Sequence, residues 1–221
     1  MDKIVMIVAG GTGTRMNAGI PKQFVLLDKR PVLMHTVEVF RKYDIHIRII
    51  VVLPEDQIGI WKGLCNQYNF AVEHEIGSGG ETRFHSVKRN LSSVPDNCLV
   101  GIHDGVRPLV SLETIERCYA AALKNGNAIP TIKIPETLRR IEGAKSVQVD
   151  RELYCLIQTP QVFMGNILKK AYRQDYREEF TDDAGVIESA GYAIYLVDGN
   201  PENIKITYKN DLKTAAALIS P

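Results

Sequence analysis

The chain lacks the signals that mark a membrane span, a secreted scaffold or a nucleic-acid binder. It has one tryptophan and four cysteines among 221 residues, and Cys65, Cys98, Cys118 and Cys155 form no C-x-x-C pair. Cysteines so scattered are expected to be buried thiols of a reducing compartment, not metal ligands or a disulfide frame. No apolar run approaches the roughly 18 residues needed to cross a bilayer. The chain starts at once on an apolar strand with no leader-like segment, so no targeting peptide is expected. The formal charge of +1 leaves no basic excess to attract nucleic acid, and no charge block marks a disordered tail. H-E-x-x-H is absent and so is G-x-S-x-G, which argues against a zinc site and against acyl-enzyme chemistry. A soluble cytoplasmic protein is the expectation, with no nucleic-acid and no membrane partner.

The 45% hydrophobic content is ample for one core, so a single domain over residues 1–221 is expected. Strand and helix signals alternate along the chain. Ile4–Val8 reads as a buried strand, Val32–Phe40 as a helix, Arg48–Leu53 as a second strand and Leu99–His103 as a third. Leu112–Lys124 reads as a helix capped by Ser111 and closed near Gly126. Such alternation predicts an α/β fold, a mostly parallel sheet with helices on both faces. Ligands on these sheets bind at the carboxyl ends of the strands. One segment departs from the pattern: Glu136–Val149 reads as a charged hairpin with Glu142–Lys145 at its turn. A two-stranded ribbon is marginal alone in water, so it is expected to lean on something, a second subunit being one candidate.

The motif with most to say is Ala9-Gly10-Gly11-Thr12-Gly13-Thr14-Arg15-Met16, placed directly after the first strand and followed by Pro21-Lys22-Gln23. Glycines after a strand let backbone N–H groups approach phosphates, and Arg15 and Lys22 add two positive charges near the same loop. The combination predicts a bound nucleoside triphosphate. It is neither a P-loop, since no Lys-Ser or Lys-Thr follows the glycines, nor a dinucleotide fingerprint, since Met16 stands at the third glycine position.

Other motifs sit at strand ends. In His103-Asp104-Gly105-Val106-Arg107-Pro108, Asp104 is placed to hold Mg²⁺ or a ribose hydroxyl, and Arg107 to orient the loop or meet an anion. The alternative is Asp104 capping the next turn and paired with Arg107. In Gly77–Val87, Glu81 and Ser86 are candidates to read a base edge, against a plainer reading in which Ser78 or Glu81 starts a helix. Asn203–Thr207 reads as a strand whose alternation sets Lys205 on the face opposite Ile204 and Ile206.

Taken in order, the motifs resemble one family over essentially the whole chain, the 2-C-methyl-D-erythritol 4-phosphate cytidylyltransferases. The resemblance rests on Ala9–Met16, Pro21–Gln23, Gly79–Ser86, His103–Pro108, Val149–Arg151, Gln158–Gln161, Thr181–Asp183 and Asn203–Thr207. It implies a Rossmann-like, GT-A-like nucleotidyltransferase fold and a homodimer joined through a protruding hairpin arm at about residues 136–150. It also implies transfer of CMP from CTP to methylerythritol phosphate with release of pyrophosphate, and Mg²⁺ as cofactor.

By position, Arg15 and Lys22 match the residues that stabilise the pentacoordinate α-phosphate. Arg151 and Lys205 match those that position the acceptor phosphate, with Arg151 and Thr137 supplied by the partner's arm. Ala9, Gly10, Gly80, Glu81 and Ser86 match the cytosine-reading set, and Gly11 and Gly13 complete the CTP loop. Asp104 and Thr159 match positions near ribose, metal and substrate, and Arg107 joins the substrate set. The chain departs from the family pattern at Glu81, where aspartate is commoner, and at Thr14, where a second arginine is frequent. Gly10 and the pair Gly105-Val106 replace alanines, an exchange expected to loosen the loops. A ribitol-5-phosphate cytidylyltransferase shares the loop, Pro21-Lys22-Gln23 and Asn203–Thr207, and Val106-Arg107-Pro108 leans toward it. A non-catalytic nucleotide-binding module is the more distant alternative.

Overall fold

The computed structural model describes residues 1–11 and 20–219. Residues 12–19 and the last two, 220 and 221, lie outside it, and with them Gly13 and Arg15 of the expected site.

The core is built on β1 (Asp2–Val8), whose Ile4, Val5, Met6 and Ile7 are all buried. β1 pairs in parallel with β4 (Arg48–Leu53) on one side and with β6 (Cys98–Asp104) on the other. β5 (Glu75–Ser78) continues the sheet beyond β4, again parallel. Beyond β6 the order runs β11 (Gln161–Met164), β7 (Asn127–Lys133) and β10 (Cys155–Ile157), with β12 (Leu196–Asp198) paired to β7. β11 runs antiparallel to β6 and β7, and β10 antiparallel to β7, so the sheet is mixed, with most strands pointing one way. Two short strands, β2 (Leu26–Leu27) and β3 (Arg30–Pro31), pair with each other.

Alternate residues of the central strands feed opposite faces, as a pleated strand requires. Val5, Ile7, Ile49, Val51 and Leu53 pack with α1 (Val32–Tyr43), α2 (Glu55–Gln67) and α4 (Leu112–Asn125). Ile4, Met6, Ile50 and Val52 pack on the other face with α3 (Arg83–Asn90), α5 (Gly165–Ala171) and α6 (Asp183–Ser189). Each such side chain taken from water contributes roughly 1.5–3 kcal/mol, which makes this double-sided sheet the main source of cohesion. A third cluster gathers Leu27, Val32, Val106 and Ile206 under α7 (Lys209–Ile219).

The predicted elements and the observed ones agree closely where local signals are strong. Helix α4 is capped by Ser111, whose Oγ accepts from Thr114 N at 3.1 Å, and closes at Gly126 with φ of 88°. The hairpin is present as β8 (Arg139–Glu142) and β9 (Lys145–Gln148), which among the described residues pair only with each other and are exposed throughout. Its two-residue turn begins at Gly143, where φ is 62°, a conformation glycine adopts without penalty.

Two expectations are corrected. Helix α3 begins at Arg83 and is capped by Thr82, whose Oγ1 accepts from His85 N at 3.3 Å, not by Ser78 or Glu81. Ser78 instead ends β5, because pairing with β4 carries the strand that far. Asn203–Thr207 is not a ladder strand: its backbone tie to the core is Ile206 N to Val106 O at 3.0 Å, and side chains hold the rest. The alternation survives all the same, since Ile206 is buried and Lys205 faces outward.

Candidate active site

Because β5, β4, β1 and β6 are parallel, their carboxyl ends open on one edge of the sheet. The chain leaves β1 toward β4 on one side and β6 on the other, which makes a crevice where the strand order reverses. A cleft of about 260 Å³ lies there, bordered by Ala9, Gly10, Gly11, Lys22, Gly80, Glu81, Ser86, Asp104 and Lys205. Residues from five separate motifs therefore meet in one place.

Pro21-Lys22-Gln23 divides its work. Lys22 runs alongside Gly11 so closely that a Cβ at Gly11 would come within 2.7 Å of Lys22 Cε. A side chain at position 11 would therefore push the end of Lys22 aside. Gln23 is fully buried and donates from Nε2 to the Ala9 carbonyl at 2.8 Å, which fixes the end of β1 under the loop.

The opposite wall is the turn before α3. Ser86 Oγ accepts from Gly80 N at 2.9 Å and donates to Thr82 O at 2.8 Å, so its hydroxyl braces the Gly79-Gly80 turn. Gly80 is required by packing, since a Cβ there would stand 2.6 Å from His85 Cβ. Glu81 is exposed at the rim.

Asp104, at the end of β6, is the electrostatic centre. Lys205 Nζ lies 3.0 Å and Arg107 Nε 3.1 Å from its Oδ2, and Arg83 Nε lies 4.0 Å from Oδ1. Burial alone would raise the pKa of this carboxyl. The pull of Lys205, Arg83 and Arg107 is stronger and holds it well below the usual carboxylate range.

A ring of hydrogen bonds fixes the turn that carries it. Thr159 Oγ1 accepts from Asp104 N at 3.1 Å and lies 3.0 Å from His103 Nδ1, while His103 Nε2 is 3.0 Å from Arg107 O. The tautomer consistent with these partners carries its proton on Nε2 and takes the threonine hydroxyl at Nδ1. Burial pushes the His103 pKa down to about 4, so the ring is neutral near pH 7. Arg107 Nη1 donates to Asn203 O at 2.7 Å, and Asn203 Nδ2 donates to Thr159 O at 2.9 Å. Gln158 Nε2 reaches Asn200 O at 2.9 Å. These bonds join the Gln158-Thr159 segment, the Asp104 turn and the stretch before Lys205 into one frame.

The expected site residues thus fall into groups. Ala9, Gly10, Gly11, Lys22, Gly80, Glu81, Ser86, Asp104 and Lys205 come together at the cleft. Arg107 and Thr159 stand directly behind it with their polar atoms committed to the frame. Thr137 and Arg151 stand apart, at the base of the hairpin, where Arg151 bonds the Pro135 carbonyl and lies 3.4 Å from Glu152. Gly105 fits tightly, contrary to the loosening expected of it: a Cβ there would stand 2.8 Å from Ala9 Cβ, and Val106 is buried.

Sequence reasoning assigned no role to His103, Gln23, Arg83 or Asp183. The signal for each was a polar residue inside an otherwise apolar or motif-bound stretch. For a metal, Asp104 is the buried carboxylate at the cleft and Glu81 the exposed one at its rim. No group of three or more candidate metal-ligating side chains is found among the described residues.

A glycine turn on the crevice of a doubly covered sheet, faced by a carboxylate that gathers cations, is a site suited to phosphates, and comparisons with known proteins make its class that of the nucleotidyltransferases. The family model for 2-C-methyl-D-erythritol 4-phosphate cytidylyltransferase matches residues 3–220. An enzyme of that name from Bacteroides thetaiotaomicron is 52% identical over 219 residues, covering 99% of this chain and 100% of the relative. One from Bacteroides fragilis is 49% identical over the same span. Among solved structures, the cytidylyltransferase of Thermus thermophilus superposes with a TM-score of 0.78 at 30% identity, covering 99% of this chain and 98% of that one. The 4-diphosphocytidyl-2C-methyl-D-erythritol synthase of Anaerococcus prevotii gives 0.83 at 27% identity, covering 100% and 97%. The chain belongs to the 2-C-methyl-D-erythritol 4-phosphate cytidylyltransferase family.

Proposed function

We propose that the chain transfers CMP from CTP to 2-C-methyl-D-erythritol 4-phosphate, giving the CDP-alcohol and pyrophosphate. The observation that carries this is that Lys22 and Lys205 line the same cleft as the glycine turn, with Lys205 held 3.0 Å from Asp104. In this reaction a phosphate monoester oxygen attacks the α-phosphate of a triphosphate and the P–O bond to pyrophosphate breaks. Anion approaches anion, so the protein has to hold the two in line and neutralise charge as it shifts to the leaving group. Lys22, beside the backbone of the glycine turn, serves the triphosphate, with Arg15 from outside the described residues. Lys205, oriented by Asp104, serves the acceptor phosphate. The turn at Gly80 and the rim residue Glu81 border the space for the base.

Mg²⁺ fits this arrangement in a limited way. Magnesium commonly takes one or two carboxylates and completes its shell with phosphates and waters. Asp104 is such a carboxylate, ionised but already shared by Lys205 and Arg107, so the residues favour a metal that arrives on the triphosphate. When bound, the ion would neutralise charge on the triphosphate and the departing pyrophosphate.

The working unit on this reading is a homodimer, with Arg151 and Thr137 entering the partner's cleft from the hairpin. Supporting it, Ile141 on the hairpin is 80% exposed and Leu153, two residues before β10, is 78% exposed, and among the described residues β10 pairs with β7 alone. Such apolar side chains around an unpaired strand edge favour a covering partner. The four free thiols support a cytoplasmic setting. Among the described residues, no helix is long and apolar enough to cross a membrane. The test is pyrophosphate release from CTP with Mg²⁺, methylerythritol phosphate and ribitol 5-phosphate being offered in parallel. Preference for methylerythritol phosphate supports the proposal. Preference for ribitol phosphate would replace the acceptor, and release with neither would leave a nucleotide-binding module.

A further inference from the structure

Arg83 opens α3 and lines the cleft, yet its guanidinium reaches two carboxylates at once. Nη2 lies 2.6 Å from Asp183 Oδ2, and Nε lies 4.0 Å from Asp104 Oδ1. Asp183 is fully buried, and its other oxygen accepts from the Tyr172 hydroxyl at 2.6 Å. The start of α6 that presents it is itself fixed. Asp182 caps the helix by accepting from Gly185 N at 2.9 Å and also accepts from Gln161 Nε2 at 2.7 Å. Gln161 Oε1 in turn accepts from Ala184 N at 2.8 Å. Asp183 therefore has little room to follow its partner.

A buried ion pair is weak evidence of stabilisation in itself, because well-packed apolar residues often do as well. Its location against the cleft needs another reason. Resting on the cytidylyl transfer proposed above, we propose that Arg83 is a positioning residue for the acceptor, held by Asp183 at Nη2 so that its Nε, on the same edge of the guanidinium, keeps its charge 4.0 Å from Asp104 Oδ1 and fixes the turn of that carboxylate. Asp104 then presents Oδ2 to Lys205, which meets the acceptor phosphate. Without Arg83, Oδ1 loses the charge that faces it and the carboxylate can rotate about its existing pair with Arg107, so Lys205 loses its fixed partner. Lysine cannot substitute, because a compact ammonium answers one carboxylate where the planar guanidinium spans two.

The double variant Arg83→Gln/Asp183→Asn removes both buried charges together and keeps the acceptor for the Tyr172 hydroxyl. Melting temperature is measured alongside kcat and KM for each substrate by pyrophosphate release. The expected result is a folded protein whose KM for methylerythritol phosphate rises about tenfold while KM for CTP stays within about threefold. A folded double variant with an unchanged acceptor KM, or with both KM values raised alike, would make the pair merely structural and overturn the inference. Should the double variant not fold, Arg83→Lys keeps a charge opposite Asp183 and is expected to show the same split. A wild-type acceptor KM in that variant overturns the inference equally. The unmodified protein in the same assay separates the two levels: its inactivity with both acceptors would remove the transfer reading, whereas its activity with unaltered variants removes the Arg83 role alone.

Discussion

Lys205 Nζ stands 3.0 Å from Asp104 Oδ2, joining the end of β6 to the segment that precedes α7. The pair sets a cation over the cleft at a fixed point, and the remaining ties on that segment, from Arg107 and Gln158 to Asn203, do not depend on it. Lys205→Ala is therefore expected to leave the melting temperature within a few degrees of the parent. Loss of a phosphate contact made in the transition state should lower kcat/KM for the acceptor by about 10²–10³. Steady-state kinetics with both substrates varied check this, and a wild-type kcat/KM would remove Lys205 from the site.

His103 makes stability depend on pH in a definite direction. Its folded pKa, about 4, lies below the value near 6.5 expected for an unfolded histidine. The unfolded chain therefore takes up a proton first as pH falls. The stabilising contribution is full above pH 6.5 and is lost progressively as pH drops toward 4. Between pH 7 and pH 5 the loss should be about 2 kcal/mol. Urea unfolding at the two pH values reads it, and His103→Gln should shrink the difference by that amount. An unchanged difference in the variant would show that His103 is not the group responsible.

Gly105 touches Ala9 where the two strand ends meet. Gly105→Ala places a methyl 2.8 Å from Ala9 Cβ and 3.2 Å from Leu33 Cδ1. Overpacking of this kind costs roughly 1–3 kcal/mol. Thermal melts should show a lower midpoint for Gly105→Ala and partial recovery on adding Ala9→Gly. No loss in the single variant would mean that the turn has slack the structure does not show.

The homodimer reading makes a prediction about mixtures. If Arg151 serves the partner's cleft and Lys205 its own, Arg151→Ala and Lys205→Ala chains are each nearly inactive alone. After unfolding and refolding together, mixed dimers would hold one intact site, and activity should return to about a quarter of the parent value. A mixture no more active than its components would place both residues in one chain's site.

How much was legible before folding depends on whether the deciding contact was local. Arg48–Leu53 was read to the residue, because an apolar run ends at Pro54, which cannot continue the ladder. Ser111 and Gly126 announced both ends of α4 by capping chemistry. The start of α3 was misplaced because Ser78 pairs with Leu53 on β4, a contact no local window contains. Asn203–Thr207 looked like a strand since its alternation is real, but it makes no ladder: Ile206 N bonds the Val106 carbonyl in a turn, and Asn203 O accepts from the side chains of Gln158 and Arg107. At the site, the charged and glycine motifs were visible as types. The pairing of Arg107 with Asp104 was offered as the alternative there and is present, but the bonds from Asp104 N to Thr159 Oγ1 and from Arg107 to Asn203 O were not legible, because these partners lie tens of residues apart and only the fold brings them together. The Arg83–Asp183 pair has no spacing rule at all.

The most direct measurement of cytidylyl transfer at this cleft is phosphorus NMR of CTP, Mg²⁺ and methylerythritol phosphate incubated with the protein, run beside Lys22→Ala. Free pyrophosphate and a new diphosphate diester are expected to grow in step as both substrates decline. In the variant that growth should be slower by about 10²–10³, with the fold retained. CTP consumed without the diester, or a Lys22→Ala protein as fast as the parent, would contradict the transfer and the place of Lys22 in it.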